Sequence, residues 1–250
     1  MIQKNERFIH CGGKMIAELI GGSTLYGLNN VDSDVDYRGL FFASNPRYVT
    51  SFDTIESIVL TNDVDATYYE LTRYLKLLRK TNTQVMEILF APSESFTLMT
   101  PLFEIIRDVK YNLIDSDNLK NSLKGYVFSE IRLATGERSG QLGGKRKESV
   151  VKYGFSPKNF VQILRLCHVG IHFYEHGEYM VNVKDVNPYL HNLLMNIKNH
   201  PEDYTCDQLK HLVDEYYATL VKAMEDSKIN YKFNVDTAVE IIEQARYTFK

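Results

Sequence analysis

The residues best suited to chemistry lie in one short stretch near the start of the chain, a Gly21-Gly22-Ser23 turn followed by Asp34 and Asp36. Small residues let a backbone approach phosphate oxygens, because no Cβ stands in the way. Two carboxylates separated by one residue share a face of a strand and together suit a divalent cation such as Mg²⁺. Nucleotidyl transfer requires both a phosphate cradle and paired carboxylates, and few other reactions need them so close together.

Apolar and β-rich runs on both sides of these residues predict the strands that would position them. Residues 15–20 are an apolar run ending in glycine, which predicts a strand that leads into a tight turn. Ser23 then predicts the cap of a short helix, whose free N–H groups and dipole favour an anion. Residues 37–43 predict a second strand directly after Asp36. Each motif alone is common in loops, and their order between two strands makes the site hypothesis specific.

The spacing of Asp34 and Asp36 also indicates why a cation is needed. In an extended chain their Cα atoms lie about 6.5–7 Å apart, so both carboxylates point to the same side. Two like charges held this close repel each other, and a divalent cation between them removes the repulsion.

This stretch resembles the Gly-Ser…Asp-X-Asp signature of the DNA polymerase beta-type nucleotidyltransferase superfamily. More closely, Gly-Ser-X-X-Tyr-Gly-Leu…Ser-Asp-X-Asp-Tyr-Arg-Gly (residues 22–39) is similar to the branch described as predicted nucleotidyltransferases, or the RNA-repair-pathway DNA polymerase beta family. The similarity continues through Asp65, residues 82–90 and residues 152–166, and extends to about Gly177. It implies an α+β fold with a small mixed β-sheet as the nucleotidyltransferase core and a helical region towards the C-terminus.

The resemblance also implies a third acidic residue on a neighbouring strand. Residues 55–60 alternate and are rich in β-formers, and an extended pattern resumes at residues 64–67 after a turn. We expect Asp65 to be the third metal ligand. Two competitors remain open at this point: Asp63, for which a role in capping the turn is preferred, and Glu70, which the pattern puts inside the following helix.

By this resemblance, Asp34, Asp36 and Asp65 are expected to be the catalytic and metal-binding residues. They would hold two Mg²⁺ ions, with Mn²⁺ as a substitute, at the separation of about 3.5–4 Å that two-metal sites have. One ion would activate the acceptor hydroxyl, and the other would bridge the triphosphate of the substrate NTP and stabilise the departing pyrophosphate. Gly22 and Ser23 would hold the β- and γ-phosphates. The reaction would depend on positioning and charge neutralisation, without a covalent intermediate.

A predicted helix in the second half offers two further nucleotide-binding residues. Pro157 opens a helix over residues 158–174 that places Lys158, Gln162 and Arg165 near a common face. In the family this helix carries a Lys, a His and an Arg, and here Gln162 stands at the His position. Lys158 and Arg165 are expected to clamp the triphosphate. The alternative is that they are solvent-exposed helix charges.

Basic residues concentrate between residues 132 and 165, in a chain whose net charge is only −3 at pH 7. Within this stretch, residues 134–148 are rich in Gly, Ser and charge without an apolar period, which predicts a mobile loop. The loop is either merely solvated or closes over a polyanion, such as the triphosphate or an RNA backbone. Together with the resemblance, the basic loop favours an RNA 3′ end of tRNA-like type as the acceptor.

Three alternatives to an RNA repair enzyme stay open from the sequence. The acceptor hydroxyl could belong to a protein or a small molecule, or the enzyme could be a toxin that disables tRNA by adding nucleotides. The third alternative is a catalytically inactive nucleotide- or RNA-binding protein on the same scaffold, against which the presence of all three acids argues. Neither the choice of NTP nor the oligomeric state follows from the sequence.

Length and composition predict a globular protein of one large domain or two small ones. Because the pattern becomes largely helical after Thr67, we place a boundary near residue 100, between a catalytic core over residues 1–100 and a mainly helical domain over residues 101–250. No apolar run approaches the ~20 residues of a membrane span, and a signal-peptide pattern is not seen. Three scattered cysteines favour neither a disulfide framework nor a zinc site, so a cytoplasmic protein with reduced thiols is expected. A stripe of His168, His172 and His176 at helical spacing is interpreted as structural rather than metal-binding.

Overall fold

The computed structural model describes residues 2–31, 33–61, 64–137 and 144–249, with the side chain of Lys145 excepted. The candidate ligand Asp63 and part of the predicted basic loop, residues 138–143, lie outside the described residues.

Two compact units make up the chain. The first combines Met1–Leu119 with Asn230–Lys250, and the second is Lys120–Ile229. The boundary predicted near residue 100 falls inside the first unit. The last helix of the chain falls within the predicted helical domain, residues 101–250, but it belongs to the first unit.

A five-stranded mixed β-sheet is the main element of the first unit. Its strands are β1 (Gly13–Ile20), β2 (Asp36–Ala43), β3 (Ser57–Leu60), β4 (Asp65–Glu70) and β5 (Phe96–Met99). They lie in the order β3-β4-β2-β1-β5, with β2 and β4 parallel and the other neighbouring pairs antiparallel. The mixed sheet and the many helices confirm the predicted α+β fold with a helical C-terminal region.

Helices account for most of the remaining described chain. In chain order they are α1 (Glu6–His10), α2 (Gly22–Leu25), α3 (Pro46–Val49), α4 (Leu71–Arg79), α5 (Thr83–Phe90), α6 (Pro101–Asp108), α7 (Ser116–Ala134), α8 (Gly144–Tyr153), α9 (Pro157–His176), α10 (Val183–Val186), α11 (Pro188–Asn199), α12 (Cys206–Asp226) and α13 (Val235–Thr248). The first unit contains α1 to α6, the start of α7, and α13. The second unit contains the rest of α7 and α8 to α12.

The two faces of the sheet have different partners. Phe41 of β2 and Tyr68 of β4 pack on one face in an apolar cluster that includes Phe8 of α1. Because side chains alternate along a strand, Asp36 and Tyr69 lie on the opposite face. There the Tyr69 hydroxyl donates a hydrogen bond of 3.1 Å to Oε1 of Gln84, so α5 adjoins this face. Asp36 therefore lies on the face of the sheet that α5 adjoins.

The end of β4 leads directly into α4. Glu70, the last residue of β4, accepts hydrogen bonds from the backbone N–H groups of Thr72 (2.7 Å) and Arg73 (3.3 Å), and thereby caps α4. Leu71 and Leu75 belong to the buried face that the sequence predicts for this helix. The expectation that Glu70 lies inside the helix is wrong, because its carboxylate satisfies N–H groups that the first helical turn leaves without partners.

The second unit is built around α9, which packs against α11 and α12. Gly170 permits a close approach: a Cβ at this position would lie 2.7 Å from Cδ1 of Leu220 and 2.8 Å from Cδ1 of Leu123. Gly177 ends α9 in the left-handed conformation, with φ of 80°. None of the helices among the described residues has the length and apolar character of a membrane span.

Candidate functional site

Two of the predicted acidic residues begin neighbouring strands. Asp36 is the first residue of β2 and Asp65 the first residue of β4, and the two are register partners in the parallel ladder. Neighbouring strands lie about 4.7–4.9 Å apart, and register partners in a parallel pair project to the same face. Asp36 is half-buried and Asp65 is exposed. The sheet therefore places two carboxylates side by side at one edge.

Asp34 lies two residues before β2, outside the ladder, and is exposed. Strand pairing fixes Asp36 and Asp65 relative to each other but does not act on Asp34. Across the described residues, no three His, Cys, Asp or Glu side chains are grouped so that they could hold one metal ion. Of the three predicted ligands, Asp36 and Asp65 are therefore register partners, and Asp34 lies outside the ladder, before β2.

The donor chemistry of this edge nevertheless fits a hard divalent cation. Carboxylate oxygens are the ligands that Mg²⁺ uses in proteins. Like charges directly opposite each other on neighbouring strands destabilise a sheet, and Asp36 and Asp65 are in that relation. A cation bound between them would remove this repulsion.

The glycine turn lies against the same edge. Gly21 follows β1, and its backbone N–H donates a 2.8 Å hydrogen bond to the carbonyl oxygen of Asp36. Gly22 has φ of +61°, a conformation that favours glycine. A Cβ on Gly22 would lie 1.9 Å from Oδ2 of Asp36, so only a residue without a side chain fits here. The turn and the carboxylate form one compact arrangement.

The expected capping role of Ser23 is wrong. Helix α2 begins at Gly22, and its N-cap is Gly21, which makes no side-chain hydrogen bond. The two glycines complete the turn early, and this leaves Ser23 inside the first turn of the helix. Ser23 is half-buried there, next to the residue whose backbone faces Asp36.

Glu70 and Asp63 are the two alternatives to Asp65 as the third acidic ligand. Glu70 lies at the opposite end of β4 from Asp65 and is 8% exposed, with its carboxylate engaged in capping α4. That arrangement separates Glu70 from Asp36 along the sheet. Asp63 lies outside the described residues. The pairing of Asp65 with Asp36 makes Asp65 the better-placed candidate.

A buried polar network that the sequence did not predict adjoins the turn. Arg38 is two residues from Asp36 on β2, so both side chains lie on one face of the strand. Glu87 of α5 is 2% exposed, and its Oε2 accepts a 2.6 Å hydrogen bond from the hydroxyl of Tyr26. The available signal was a lone carboxylate in the apolar run of residues 85–89.

The two nucleotide-binding candidates of α9 differ in accessibility within the second unit. Lys158 is exposed in the first turn of the helix. Arg165 is fully buried, and its Nε donates a 3.2 Å hydrogen bond to Oε1 of Gln162. Of the two, Lys158 has the exposed charge that a phosphate contact requires, while Arg165 is engaged in the interior of this unit.

The predicted loop of residues 134–148 is partly helical. Helix α8 begins at Gly144, so the last five residues of that range are in a helix. Lys, Arg and Glu have high helix propensity, and a helix does not need an apolar period to form. Lys147 and Lys152 are exposed on α8, and the ammonium of Lys152 lies 4.8 Å from the ring centroid of Tyr153. The basic segment is thus an ordered, charged helix over this part.

The histidine stripe of α9 forms no metal cluster among the residues that the structure describes. The rings of His172 and His176 have centroids 4.6 Å apart. Burial lowers the pKa of His168, and the neighbouring His172 lowers it further. Burial and the nearby His176 likewise lower the pKa of His172, against the opposing effect of Glu178 and Glu175. The fold therefore favours the neutral form of His168 and His172.

Comparison with models of known protein families gives a match over residues 5–139, more than half of the 250-residue chain, to the RNA repair pathway DNA polymerase beta family. The chain belongs to this family. The matched part contains the glycine turn, Asp34, Asp36, Asp65 and Glu87, and it ends before Lys158 and Arg165. No curated protein gives a significant match. Membership in the RNA repair pathway DNA polymerase beta family supports a nucleotidyltransferase role in RNA repair.

Proposed function

We propose that this protein transfers a nucleoside monophosphate from an NTP to the 3′-hydroxyl of an RNA, in a reaction that depends on a divalent cation. The observation that carries the proposal is the register pairing of Asp36 with Asp65 beside the Gly21–Gly22 turn. Family membership supports nucleotidyl transfer as the reaction class and RNA repair as its setting. The choice of Mg²⁺, of two ions and of a tRNA-like acceptor extends the proposal beyond these findings.

The glycine turn would bind the phosphates of the NTP. Gly21 and Gly22 leave the backbone open to close approach, because neither carries a Cβ. Ser23 adds a half-buried side chain in the first turn of α2 that would donate a hydrogen bond to a phosphate oxygen. Contact between Gly22 and Asp36 would bring the bound phosphates next to the carboxylates. The turn is thus the positioning element of the proposed site.

Asp36 and Asp65 would hold the cation, with Asp34 completing its ligands from the loop before β2. When bound, Mg²⁺ would supply charge neutralisation for the triphosphate and acidify the acceptor hydroxyl. The exposed carboxylates of Asp34 and Asp65 keep this edge open to a substrate entering from solvent. Asp36, half-buried against Gly22, would be the fixed member of the set.

Charge on the second unit supports a polyanionic acceptor. Helix α8 carries the exposed Lys147 and Lys152, and α9 begins with the exposed Lys158. Burial lowers the pKa of Lys198 on α11, and the nearby charge of Lys158 lowers it further, which indicates that these two lysines lie close together. Such a group of cations suits a phosphodiester backbone.

Labelled NTPs test the reaction directly. The protein is incubated with each of the four NTPs labelled at the α-phosphate, with Mg²⁺ and total RNA, and the products are separated into RNA, protein and small molecules. We expect label in RNA. Label in the protein or in a small molecule would replace the proposed acceptor, and no transfer with any NTP would contradict the proposed function. Growth arrest on expression that Asp34→Ala abolishes would indicate a toxin-type role.

Asp36→Asn provides the matching variant. It keeps the size of the side chain and removes the charge, so we expect transfer to be abolished while the fold is retained. Asp108→Asn is a suitable control, because Asp108 is exposed at the end of α6 and lies outside the proposed site. Wild-type transfer by Asp36→Asn would rule out the assigned site.

A further inference from the structure

Arg38 lies close to the two aspartates, on the same pair of strands, β2 and β4. It is two residues from Asp36 on β2, so both side chains project to one face. Its register partner on β4 is Thr67, which is two residues from Asp65. Arg38 is half-buried. A positive charge is therefore fixed next to the carboxylate edge by the sheet itself.

The side chain of Arg38 lies against the glycine turn. A Cβ built on Gly21 would be 3.0 Å from Cγ, 3.2 Å from Cδ and 3.2 Å from Nε of Arg38. The side chain thus passes directly alongside the backbone of Gly21, which in turn donates its N–H to the Asp36 carbonyl oxygen. The turn is in contact with Asp36 through Gly22 and with Arg38 through Gly21.

Electrostatic interactions hold the Arg38 guanidinium in place. The hydroxyl oxygen of Tyr69 accepts a hydrogen bond from it, and the carboxylates of Glu87 and Asp36 lie near enough to interact with its positive charge. The Nε of Arg38 is buried and has no hydrogen-bond partner within the described part of the chain. The position of the side chain therefore depends on packing against Gly21, on the hydrogen bond with Tyr69 and on the two neighbouring carboxylates, Glu87 and Asp36.

Glu87 is the more buried of the two carboxylates near Arg38. A carboxylate that is 2% exposed is costly to bury without compensation. The hydroxyl of Tyr26 donates to it, and the cationic Arg38 is its nearby counter-charge. Tyr26 follows α2 directly, so Glu87 connects α5 with the helix that begins at the glycine turn. The Arg38 and Glu87 charges thus support the turn from two sides.

We propose that Arg38 and Glu87 are positioning residues that hold the Gly21–Gly22 turn against Asp36, so that the turn can bind the phosphates of an NTP. This inference rests on the proposed function and assigns to that site two residues outside its predicted ligands. Arg38 acts on the turn through packing against Gly21, and Glu87 acts through its charge on Arg38 and its bond to Tyr26.

Nucleotide binding tests this role independently of catalysis. Affinity for ATP, GTP, CTP and UTP is measured by calorimetry with Mg²⁺ present, on the wild type and on Arg38→Gln, Arg38→Lys and Glu87→Gln. For the NTP that binds best, we expect each charge-removing variant to bind about tenfold more weakly, the effect of removing one charge-assisted interaction. Arg38→Lys should recover part of that affinity, because it keeps the charge. Thermal melting verifies that each variant is folded.

The matched control is Arg47→Gln. Arg47 lies on α3 of the same unit, pairs with Asp53 at 2.6 Å, and is largely exposed, so its replacement should leave binding unchanged. The double variant Arg38→Gln/Glu87→Gln should lose less binding free energy than the two single variants lose in sum, because Glu87 acts partly through Arg38.

The outcomes separate the inference from the proposed function. Wild-type affinity in folded Glu87→Gln or Arg38→Gln overturns the positioning role and leaves the proposed reaction standing. Failure of the wild type to bind any of the four NTPs overturns both. Should Arg38→Gln not fold, Glu87→Gln and Arg38→Lys decide the matter by the same criterion.

Discussion

The backbone of Gly22 and the carboxylate of Asp36 are in such close proximity that a Cβ on Gly22 would lie 1.9 Å from Oδ2. The glycine is therefore required by contact with a candidate metal ligand, in addition to its left-handed φ of +61°. A substitution here moves the ligand and the phosphate-binding backbone together.

Gly22→Ala should impair both stability and nucleotide binding. The left-handed backbone and the clash with Asp36 together should lower the free energy of unfolding by about 2 kcal/mol or more. Denaturant titration and NTP calorimetry measure the two effects. Gly125→Ala on α7 is the control, since a Cβ there meets nothing within 4 Å and alanine favours a helix. Normal binding by Gly22→Ala would contradict the assignment of the turn.

Asp65→Asn should reduce transfer and leave the fold intact. We expect the rate to fall by about 100-fold or more, because a charge that neutralises the reacting phosphate is removed. Without metal, the variant should melt slightly higher than the wild type, since the repulsion across the β2–β4 pair is relieved. Transfer assays and thermal melting check both statements. Full activity would move the third-ligand assignment to Asp63.

Glu70→Gln should change the pH dependence of stability. Burial raises the pKa of Glu70, opposed by its hydrogen bonds from Thr72 and Arg73. A carboxyl whose pKa is raised on folding stabilises the fold fully below its ordinary value of 4.5, and loses that contribution as the pH rises through the higher folded value. The glutamine cannot ionise, so the variant should gain stability relative to the wild type between pH 4 and pH 7. Urea titrations at both pH values measure this difference.

The three thiols should differ in reactivity. Burial raises the pKa of Cys167 to about 12, and burial also raises the pKa of Cys11, so both should resist alkylation in the native protein. Cys206 is only partly buried and should react first. Labelling with iodoacetamide at pH 8, followed by mass spectrometry, should find Cys206 alone modified, and all three after denaturation. Early modification of Cys167 would contradict its burial.

The lysines of α8 should contribute to binding of the RNA acceptor. Lys147→Ala/Lys152→Ala should weaken binding of single-stranded RNA and reduce the slope of log affinity against log salt by about 0.7 for each phosphate that the lysines no longer neutralise. Fluorescence anisotropy at several salt concentrations measures this slope. Lys228→Ala removes an exposed charge of the same unit that follows α12 and serves as the control. An unchanged slope in the double variant would exclude α8 from the acceptor surface.

The sequence by itself determined those parts of the site that depend on local spacing. Glycines at positions 21 and 22 predict the turn, because no other residue gives the backbone that freedom. Aspartates at 34 and 36 followed by the β-rich, largely apolar residues 37–43 predict a strand with a carboxylate at its start. The order of these features also led to the family, which the match over residues 5–139 confirms.

Helix starts and ends were less well determined. Serine is a common N-cap residue, yet the N-cap of α2 is Gly21 and not Ser23. The N-cap of α4 is Glu70, the last residue of a strand. Several residues near a helix start can satisfy its free N–H groups, and the choice depends on where the preceding strand is held. Residues 144–148 begin α8, and the sequence did not predict this helix start because the charged segment has no apolar period.

Only the tertiary structure decided which distant residues meet. Parallel pairing of β2 with β4 aligns Asp36 with Asp65, and no local pattern specifies the register of two strands separated by a loop and another strand. The same holds for Glu87, whose helix brings a buried charge towards Arg38, and for α13, which returns to the first unit from the other end of the chain. Such contacts result from burying whole faces of sheet and helix together, so the sequence supplies the ligands and the packing brings them into place.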